Sequence, residues 1–172
     1  NLNGNNFVGA LVGLATNNSL IEESRAKIDL ITGNFDVGAL AGKIEGSTVS
    51  KSKTEIIMRV SGEDNIGGLI GEAIGGSTIE RSFSVGEIEG DSNVGGLVSS
   101  VGSGSVINNC FSWVDVNGNS DVGGLIGNLN AGVVENTYSN GSVEGVNNVG
   151  GLIGSLTSSQ VIHSYWDNVT SG

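Results

Sequence analysis

Ile66-Gly67-Gly68-Leu69-Ile70-Gly71 is a short apolar, glycine-rich stretch that returns, with small changes, along the whole chain. Its six copies begin at Val8, Val37, Ile66, Val94, Val122 and Val149, at spacings of 29, 29, 28, 28 and 27 residues. A glycine stands four residues before each copy, at Gly4, Gly33, Gly62, Gly90, Gly118 and Gly145. A fixed period of this length is typical of repeat proteins, in which each unit packs mainly against its two neighbours.

Each unit also carries two further apolar stretches between turn residues. In the third unit these are Ile79 and the alternating stretch from Ser84 to Glu89. The unit therefore predicts three short strands separated by Gly, Asn, Asp and Ser turns, and no window has the spacing of an amphipathic helix. Because one unit cannot bury its apolar side chains alone, stacking is favoured. The sequence predicts an all-β fold, a parallel β-solenoid (β-helix) of six coils of about 28 residues, with about three short strands per coil.

These coils are expected to form one repeat domain over residues 1–172. The coil bounds, placed at the recurring glycine, are roughly 5–33, 34–62, 63–90, 91–118, 119–145 and 146–172. Residues 1–4 resemble the close of a unit, and the chain stops at another unit ending. Two hypotheses explain this match: the chain is an excised piece of a longer protein, or the rods join end to end as subunits of a filament.

Composition argues against several classes of function. The net charge is −11, all seven Lys and Arg lie between Arg25 and Arg81, and the rest of the chain after Arg81 has eight acidic residues. Nucleic acid is not expected as a partner, because a phosphate backbone requires a basic surface. No apolar run approaches 18 residues, so membrane insertion is not expected. Cys110 is the one cysteine and is expected to fill the core.

Turn chemistry agrees with a stacked fold. The residue before each repeated Val or Ile is usually Asn or Asp, which tolerate left-handed backbone angles; these residues are Phe7, Asp36, Asn65, Asn93, Asp121 and Asn148. Stacked amides are expected to form ladders along the solenoid. The glycine at the second position of every copy predicts a steric demand, since glycine inside a strand is otherwise unfavourable.

The pattern V-G-G-L-I-G, then I-x-x-C/S-F/Y-S, then V-x-G resembles the GLUG motif repeat over the whole chain. The final unit, with Tyr165-Trp166-Asp167, is similar to the ending of many such arrays. The resemblance implies a secreted or surface-displayed prokaryotic protein, such as an adhesin, and implies no catalytic activity. The first two units depart from the pattern: they lack the aromatic residue, carry Lys and Arg, and contain one or two extra residues.

One column of the predicted solenoid is aromatic in the later units and basic in the first two. It contains Arg25, Lys53, Phe83, Phe111, Tyr138 and Trp166, with Trp113 nearby. Because an unpaired buried charge is very unfavourable, we expect this column to face outward. Phe83, Phe111, Trp113, Tyr138 and Trp166 are then the candidate binding residues, for a glycan or for a host or neighbour-cell protein. The alternative hypothesis is an interior aromatic stack.

Catalytic and metal sites are not expected. His163 is the one histidine, too few for a zinc motif and without support for a catalytic triad. Glu87, Asp115 and Glu144 fall in corresponding places of three units, but a solvated acidic stripe is favoured over a carboxylate pair that cleaves glycans. Calcium is the cofactor that the acidic turns 63–65 and 91–93 suggest, although ordinary turn chemistry accounts for them.

The sequence thus predicts a non-enzymatic extracellular module, structural or adhesive, that acts as a rigid spacer. Two alternatives stay open: the non-catalytic stalk of a secreted protease or glycan-degrading enzyme, and a self-assembling extracellular filament subunit. End-to-end or lateral self-association is among the expected contacts, because strand edges invite pairing.

Overall fold

The computed structural model describes residues 1–167 and is a parallel β-solenoid of six coils, as predicted. Within this range the secondary structure is all strand, and no helix is long and apolar enough to cross a membrane. The strands in chain order are β1 Leu2–Asn3, β2 Asn6–Gly9, β3 Val12–Ala15, β4 Leu20–Glu22, β5 Arg25–Thr32, β6 Phe35–Gly38, β7 Ala41–Glu45, β8 Thr48–Ser50, β9 Lys53–Ser61, β10 Asp64–Gly67, β11 Ile70–Ile74, β12 Thr78–Glu80, β13 Phe83–Glu89, β14 Ser92–Gly95, β15 Val98–Gly102, β16 Val106–Asn108, β17 Phe111–Asn117, β18 Ser120–Gly123, β19 Ile126–Asn130, β20 Val133–Glu135, β21 Tyr138–Asn140, β22 Val143–Glu144, β23 Asn147–Gly150, β24 Ile153–Thr157, β25 Gln160–Ile162 and β26 Tyr165–Asp167.

Parallel sheets run the length of the solenoid, and every strand pairs with its counterpart one coil away. Sheet A contains β1, β5, β9, β13, β17, β21, β22 and β26; sheet B contains β2, β6, β10, β14, β18 and β23; sheet C contains β3, β7, β11, β15, β19 and β24; sheet D contains β4, β8, β12, β16, β20 and β25. Ile66, for example, pairs with Val37 below and Val94 above. Equivalent residues of successive units therefore lie directly above one another.

A bend divides the V-G-G-L-I-G segment between two sheets. In the third coil β10 ends at Gly67 and β11 begins at Ile70. Ile66, Leu69 and Ile70 are all fully buried, so the bend turns both apolar faces of the segment towards the interior. The segment, which the sequence predicts as one strand with two apolar faces, therefore supplies both sheet B and sheet C.

The glycine at the second position makes this bend possible, as the sequence predicts. A Cβ on Gly67 would lie 1.9 Å from the carbonyl oxygen of Ile70. The same clash, at 1.9–2.2 Å, would occur at all six equivalent glycines: Gly9, Gly38, Gly67, Gly95, Gly123 and Gly150. Any side chain here must displace backbone, which a close-packed interior resists.

The core of the solenoid is aliphatic. Its fully buried large side chains are Ile and Leu, such as Leu69, Ile79 and Ile88, and the buried residues of the described chain include no aromatic ring. Each coil places these residues at the same levels as its neighbours, so the core is a set of stacked apolar columns. Burial of this aliphatic surface is the main source of stability.

Two serine ladders flank sheet D in the interior. The backbone N–H of Ser77 donates to the Ser105 hydroxyl of the next coil at 3.1 Å, and the N–H of Ser52 donates to the Ser82 hydroxyl at 3.0 Å. Cys110 occupies a position in the second ladder, 98% buried, with its Sγ 3.2 Å from the Asn108 carbonyl oxygen. Burial raises the pKa of the Cys110 thiol to about 12, so this cysteine is a core residue, as predicted.

The residue just before the buried Val or Ile of sheet B forms a corner, and it adopts left-handed backbone angles in every coil. The φ angles lie between 49° and 59° at Phe7, Asp36, Asn65, Asn93, Asp121 and Asn148. Asn65 Nδ2 donates to Asp36 Oδ1 at 2.7 Å, and Asn148 Nδ2 donates to Asp121 Oδ1 at 2.7 Å. The column therefore contains two separate Asn-to-Asp pairs and not the continuous amide ladder that the sequence predicts, since Asn93 Nδ2 donates to Asp64 Oδ1 of the neighbouring column instead.

The extra residues of the first two units form bulges in sheet A. Strand pairing is in register at two places along these strands. Lys27, Glu55 and Val85 pair at the first, and Ile31, Val60 and Ile88 pair at the second. Between these two places the second coil has four residues, 56–59, where the third coil has the two residues 86–87. The side chains of Ile57 and Met58 are consequently 53% and 61% exposed.

Substitution of Gly123 by Ala is expected to destabilise the fold strongly, because its Cβ would lie 1.9 Å from the Ile126 carbonyl oxygen. We expect a loss of about 3 kcal/mol or more in the free energy of unfolding, or failure to fold. Gly102→Ala is the matched control, since its Cβ would approach nothing closer than 3.3 Å and should change stability by less than about 1 kcal/mol. Urea unfolding followed by circular dichroism measures both; equal effects would contradict the steric explanation.

Asp36 provides a pH-dependent test of the corner pair that it forms with Asn65. Burial is the main cause that raises the pKa of the Asp36 carboxyl above its ordinary value, while the hydrogen bond from Asn65 acts against it. A carboxyl group with a raised pKa stabilises the fold while protonated, and this contribution is lost as the pH rises through the folded-state pKa.

Asp36→Asn keeps an oxygen for Asn65 and is therefore expected to increase the free energy of unfolding at neutral pH. The gain should vanish below about pH 4, the ordinary pKa of Asp. Urea unfolding at pH values on both sides of this range measures the effect. Asp29→Asn, which removes an exposed carboxylate, is the control for net charge; a gain of the same size and pH dependence in that variant would contradict the role of burial.

Candidate binding face on sheet A

Sheet A presents alternate side chains to the interior and to solvent. In β17, Ser112 and Val114 are buried, while Phe111 and Trp113 point outward. Two outward columns result. The first contains Arg25, Lys53, Phe83, Phe111, Tyr138 and Tyr165, and the second contains Lys27, Glu55, Val85, Trp113, Asn140 and Asp167. We call these the aromatic column and the mixed column.

Trp166 does not belong to the aromatic column, and the sequence prediction was wrong by one position. Tyr165 pairs with Tyr138, and Trp166 pairs with the buried Ser139. The physical reason is the register of sheet D, where Val161, and not Ile162, pairs with Val134. Trp166 consequently lies against Gly151, where a Cβ would be 2.0 Å from the indole, and it is 44% exposed in the last coil.

The other four candidate residues lie on the outer side of sheet A. Trp113 is 59% and Tyr138 is 46% exposed, and Phe83 and Phe111 are half-buried. An interior aromatic stack is therefore excluded for these residues.

The rings of the aromatic column stack on one another along the rod. The Phe83 and Phe111 centroids are 4.5 Å apart with an interplanar angle of 8°, and Phe111 and Tyr138 are 5.2 Å apart at 7°. Because the ring faces cover each other, mainly ring edges are directed to solvent. Stacking of a sugar needs a free ring face, so this column is better suited to contact a protein surface.

Charge is distributed unevenly along the face. Arg25 and Lys27 both form ion pairs with Glu55 of the second coil, and Lys53 Nζ lies 5.6 Å from the centroid of Phe83. All of these cations lie in the first two coils. The strands of sheet A in the later coils carry acidic residues and no Lys or Arg.

The three carboxylates proposed for the acidic stripe are not in one column. Glu87 pairs directly with Asp115, but Glu144 pairs with Asn117, in the neighbouring column. Ser142 occupies the place above Asp115, and both its N–H and its hydroxyl donate to Asp115 Oδ1 at 2.9 Å. Sequence reasoning misplaced Glu144 because it did not detect the break at residues 141–142 between β21 and β22.

The acidic turns are occupied by internal hydrogen bonds. Asp64 Oδ1 accepts from Asn93 Nδ2 at 2.8 Å and from the backbone N–H of Asn65 at 2.9 Å, and Asp91 accepts from Asn119. Over residues 1–167, no group of three His, Cys, Asp or Glu side chains is placed to hold a metal ion. His163 is exposed and adopts a left-handed turn conformation with φ 45°.

Sequence reasoning also missed a set of hydroxyl groups that hold sheet A to the glycine bend. Thr54, Ser84 and Ser139 donate to the carbonyl oxygens of Gly68, Gly96 and Gly151 at 2.6–2.7 Å across the interior. Where the hydroxyl is absent, at Ala26, the bend carries Ala39 in place of the glycine at the third position of the segment. This joint change from Ser or Thr with Gly to Ala with Ala is the sequence signal that could have revealed the contact.

Sequence reasoning also missed a polar groove beside sheet A, which follows the glycines that stand four residues before each repeated Val or Ile. It has a volume of about 480 Å3 and is lined by Thr32, Gly33, Ser61, Gly62, Glu89, Gly90, Asp91, Asn117, Gly118 and Asn119. The recurring glycine thus leaves a shallow furrow along the rod, in addition to making room for the Val or Ile methyl groups beneath it.

No protein-family model, curated protein or solved structure matches this chain. The resemblance to the GLUG repeat therefore rests on the residues quoted above.

Replacing Phe111 by Ala tests whether ring stacking within the aromatic column stabilises the fold. Phe111 stacks on rings in both neighbouring coils, so we expect its removal to cost about 1–3 kcal/mol of unfolding free energy. Trp113→Ala, at the next outward position, should cost less than about 0.5 kcal/mol, as is usual for exposed side chains. Urea unfolding followed by circular dichroism distinguishes the two; a larger loss at Trp113 would contradict the assignment.

Proposed function

We propose that this chain is a non-enzymatic rigid module of a secreted or surface-displayed protein, a spacer whose sheet-A face contacts a protein partner. The observation that carries the proposal is the continuous strand pairing of four parallel sheets through all six coils, with irregularities confined to sheet A. Such a rod sets a fixed distance between whatever lies at its two ends, and its length scales with the number of coils.

Contacts between coils support the rigidity of the rod. Besides the strand pairing, the serine ladders, the corner amides and the aromatic column each link one coil to the next. The hydroxyl groups of Thr54, Ser84 and Ser139 add a link across the interior. A coil can therefore move relative to its neighbour only by breaking several kinds of contact together.

The use of polar side chains supports a non-enzymatic role. Several groups that could serve as nucleophiles or bases are used in the structure: the hydroxyls of Ser77 and Ser84 donate to backbone carbonyl oxygens, Asp115 accepts twice from Ser142, and the Cys110 thiol is buried. The location outside the cell is supported by the GLUG resemblance, and the strong negative charge favours solubility.

Removal of one complete repeat tests the spacer function. Deleting residues 94–121 joins Asn93 to Val122, which keeps the repeat phase. We expect a folded protein with an unchanged β circular dichroism spectrum and unchanged cross-section, shortened by one ladder step of about 4.8 Å. Small-angle X-ray scattering measures the length and the cross-section.

A half-repeat deletion is the matched control. Removing residues 94–107 breaks the register of every later strand and should prevent folding of the later coils. If the full-repeat deletion also fails to fold, the coils are not interchangeable units and the spacer proposal is wrong.

A further inference from the structure

Apolar exposure along the middle of the rod is concentrated on sheet A. In the second to fifth coils, large exposed apolar side chains on this sheet are Ile57, Met58, Trp113 and Tyr138. Phe35, on sheet B, is the comparable residue elsewhere, and the other large exposed apolar residues lie near the two ends of the described chain. An apolar sheet face of this kind is a candidate interface.

The same face has opposite charge at its two ends. In the first two coils, β5 and β9 carry Arg25, Lys27, Lys53 and Arg59 against Asp29 and Glu55. In the later coils, sheet A carries Glu87, Glu89, Asp115, Glu144 and Asp167 and no basic residue. The basic first two coils are complementary in charge to the acidic last two coils of a reversed copy, whereas Glu87, Glu89 and Asp115 make the two central coils acidic as well.

We propose that two copies of this chain form a symmetric dimer through sheet A, with the two rods antiparallel. This inference rests on the proposed contact face and names its partner as a second copy. The two-fold axis runs along the strand direction, between the third and fourth coils. First coils then face last coils, while each column faces the same column of the other copy.

This symmetry places favourable pairs opposite each other. Lys27 faces Asp167 of the other copy and Arg25 faces Tyr165, because each pair shares a column in coils one and six. In the centre, Val85 faces Trp113. Arg25 on Tyr165 would repeat the cation–ring contact that Lys53 makes with Phe83 inside one chain.

The bulge of the second coil also has a matching feature. Ile57 and Met58 protrude at the level where the fifth coil has Gly141 and Ser142, at the break between β21 and β22. In the antiparallel dimer the second coil faces the fifth, so the protruding side chains meet the interrupted strand. A dimer with parallel rods would instead bring the cations of the first two coils against themselves.

The area of the face fits a reversible dimer. Six coils at about 4.8 Å and strands of about seven residues at 3.3 Å give a face of roughly 25 by 23 Å, or roughly 600 Å2 per copy. The total of roughly 1,200 Å2 is at the lower limit for specific interfaces, and we expect dissociation in the micromolar range. One kind of contact is unfavourable and occurs twice by symmetry: Glu87 of each copy approaches Asp115 of the other near the axis.

Sedimentation velocity over a wide concentration range tests the dimer. Wild type should show a reversible monomer–dimer equilibrium, and Trp113→Ala should weaken it by about tenfold or more. Phe35→Ala, an exposed apolar residue on another sheet, is the matched control and should leave the dissociation constant unchanged. Circular dichroism verifies that each variant is folded.

Charge variants test the orientation. Lys27→Glu and Asp167→Lys should each weaken the dimer, whereas the double variant should restore it, because only antiparallel rods bring these positions together. Glu87→Gln should tighten the dimer by a few fold, since it relieves the repulsion near the axis.

A wild type that stays monomeric at millimolar concentration would overturn the dimer, as would equal weakening by Phe35→Ala and Trp113→Ala. Failure of the double charge variant to restore association would overturn the antiparallel arrangement. A monomer whose tryptophan fluorescence responds to added oligosaccharides in the wild type but not in Trp113→Ala would assign the face to a glycan instead. None of these outcomes affects the repeat-deletion experiment, so the spacer proposal is tested separately.

Discussion

The close approach of backbone to backbone at the glycine bend is the constraint on which the other features of this fold depend. At Gly67 the chain passes so near the Ile70 carbonyl oxygen that a side chain cannot fit. The bend directs Ile66, Leu69 and Ile70 together into the interior, and it separates sheet B from sheet C. Because the same bend occurs in every coil, the strands that follow begin at the same level, and stacking in register becomes possible around the whole circumference.

Stacking in register then determines how polar side chains are used. A residue that repeats every 28 residues or so meets its own counterpart above and below, so each column acts as a unit. Serine columns bond the backbone of the adjacent coil, the Asn and Asp column forms side-chain pairs, and phenylalanines stack face to face. Columns of alternating charge, such as Lys27 and Glu55, form ion pairs. Because neighbours in a column are the same or similar residues, one kind of side-chain contact repeats from coil to coil.

The fold could be predicted from the sequence because the glycines and the Val or Ile residues repeat at nearly constant spacing. The outward direction of Phe83, Phe111 and Tyr138 also followed, since Arg25 and Lys53 share their column and a charge cannot be buried alone. Two details failed for one reason: small insertions and deletions shift the phase. Ile162 was aligned where Val161 belongs, which misplaced Trp166, and the break at Gly141 misplaced Glu144. The stacking of ring faces depends on side-chain torsions, which a repeat pattern does not determine.

The uneven distribution of tryptophan and tyrosine along the chain limits the part of the solenoid that intrinsic fluorescence can report. Both tryptophans and both tyrosines lie at or after Trp113, in the second half of the chain. Loss of structure in a linear array can begin at either terminus and travel inward. Unwinding that starts at the amino-terminal coils would therefore leave the intrinsic emission almost unchanged, and a fluorescence melting curve would report the later coils alone.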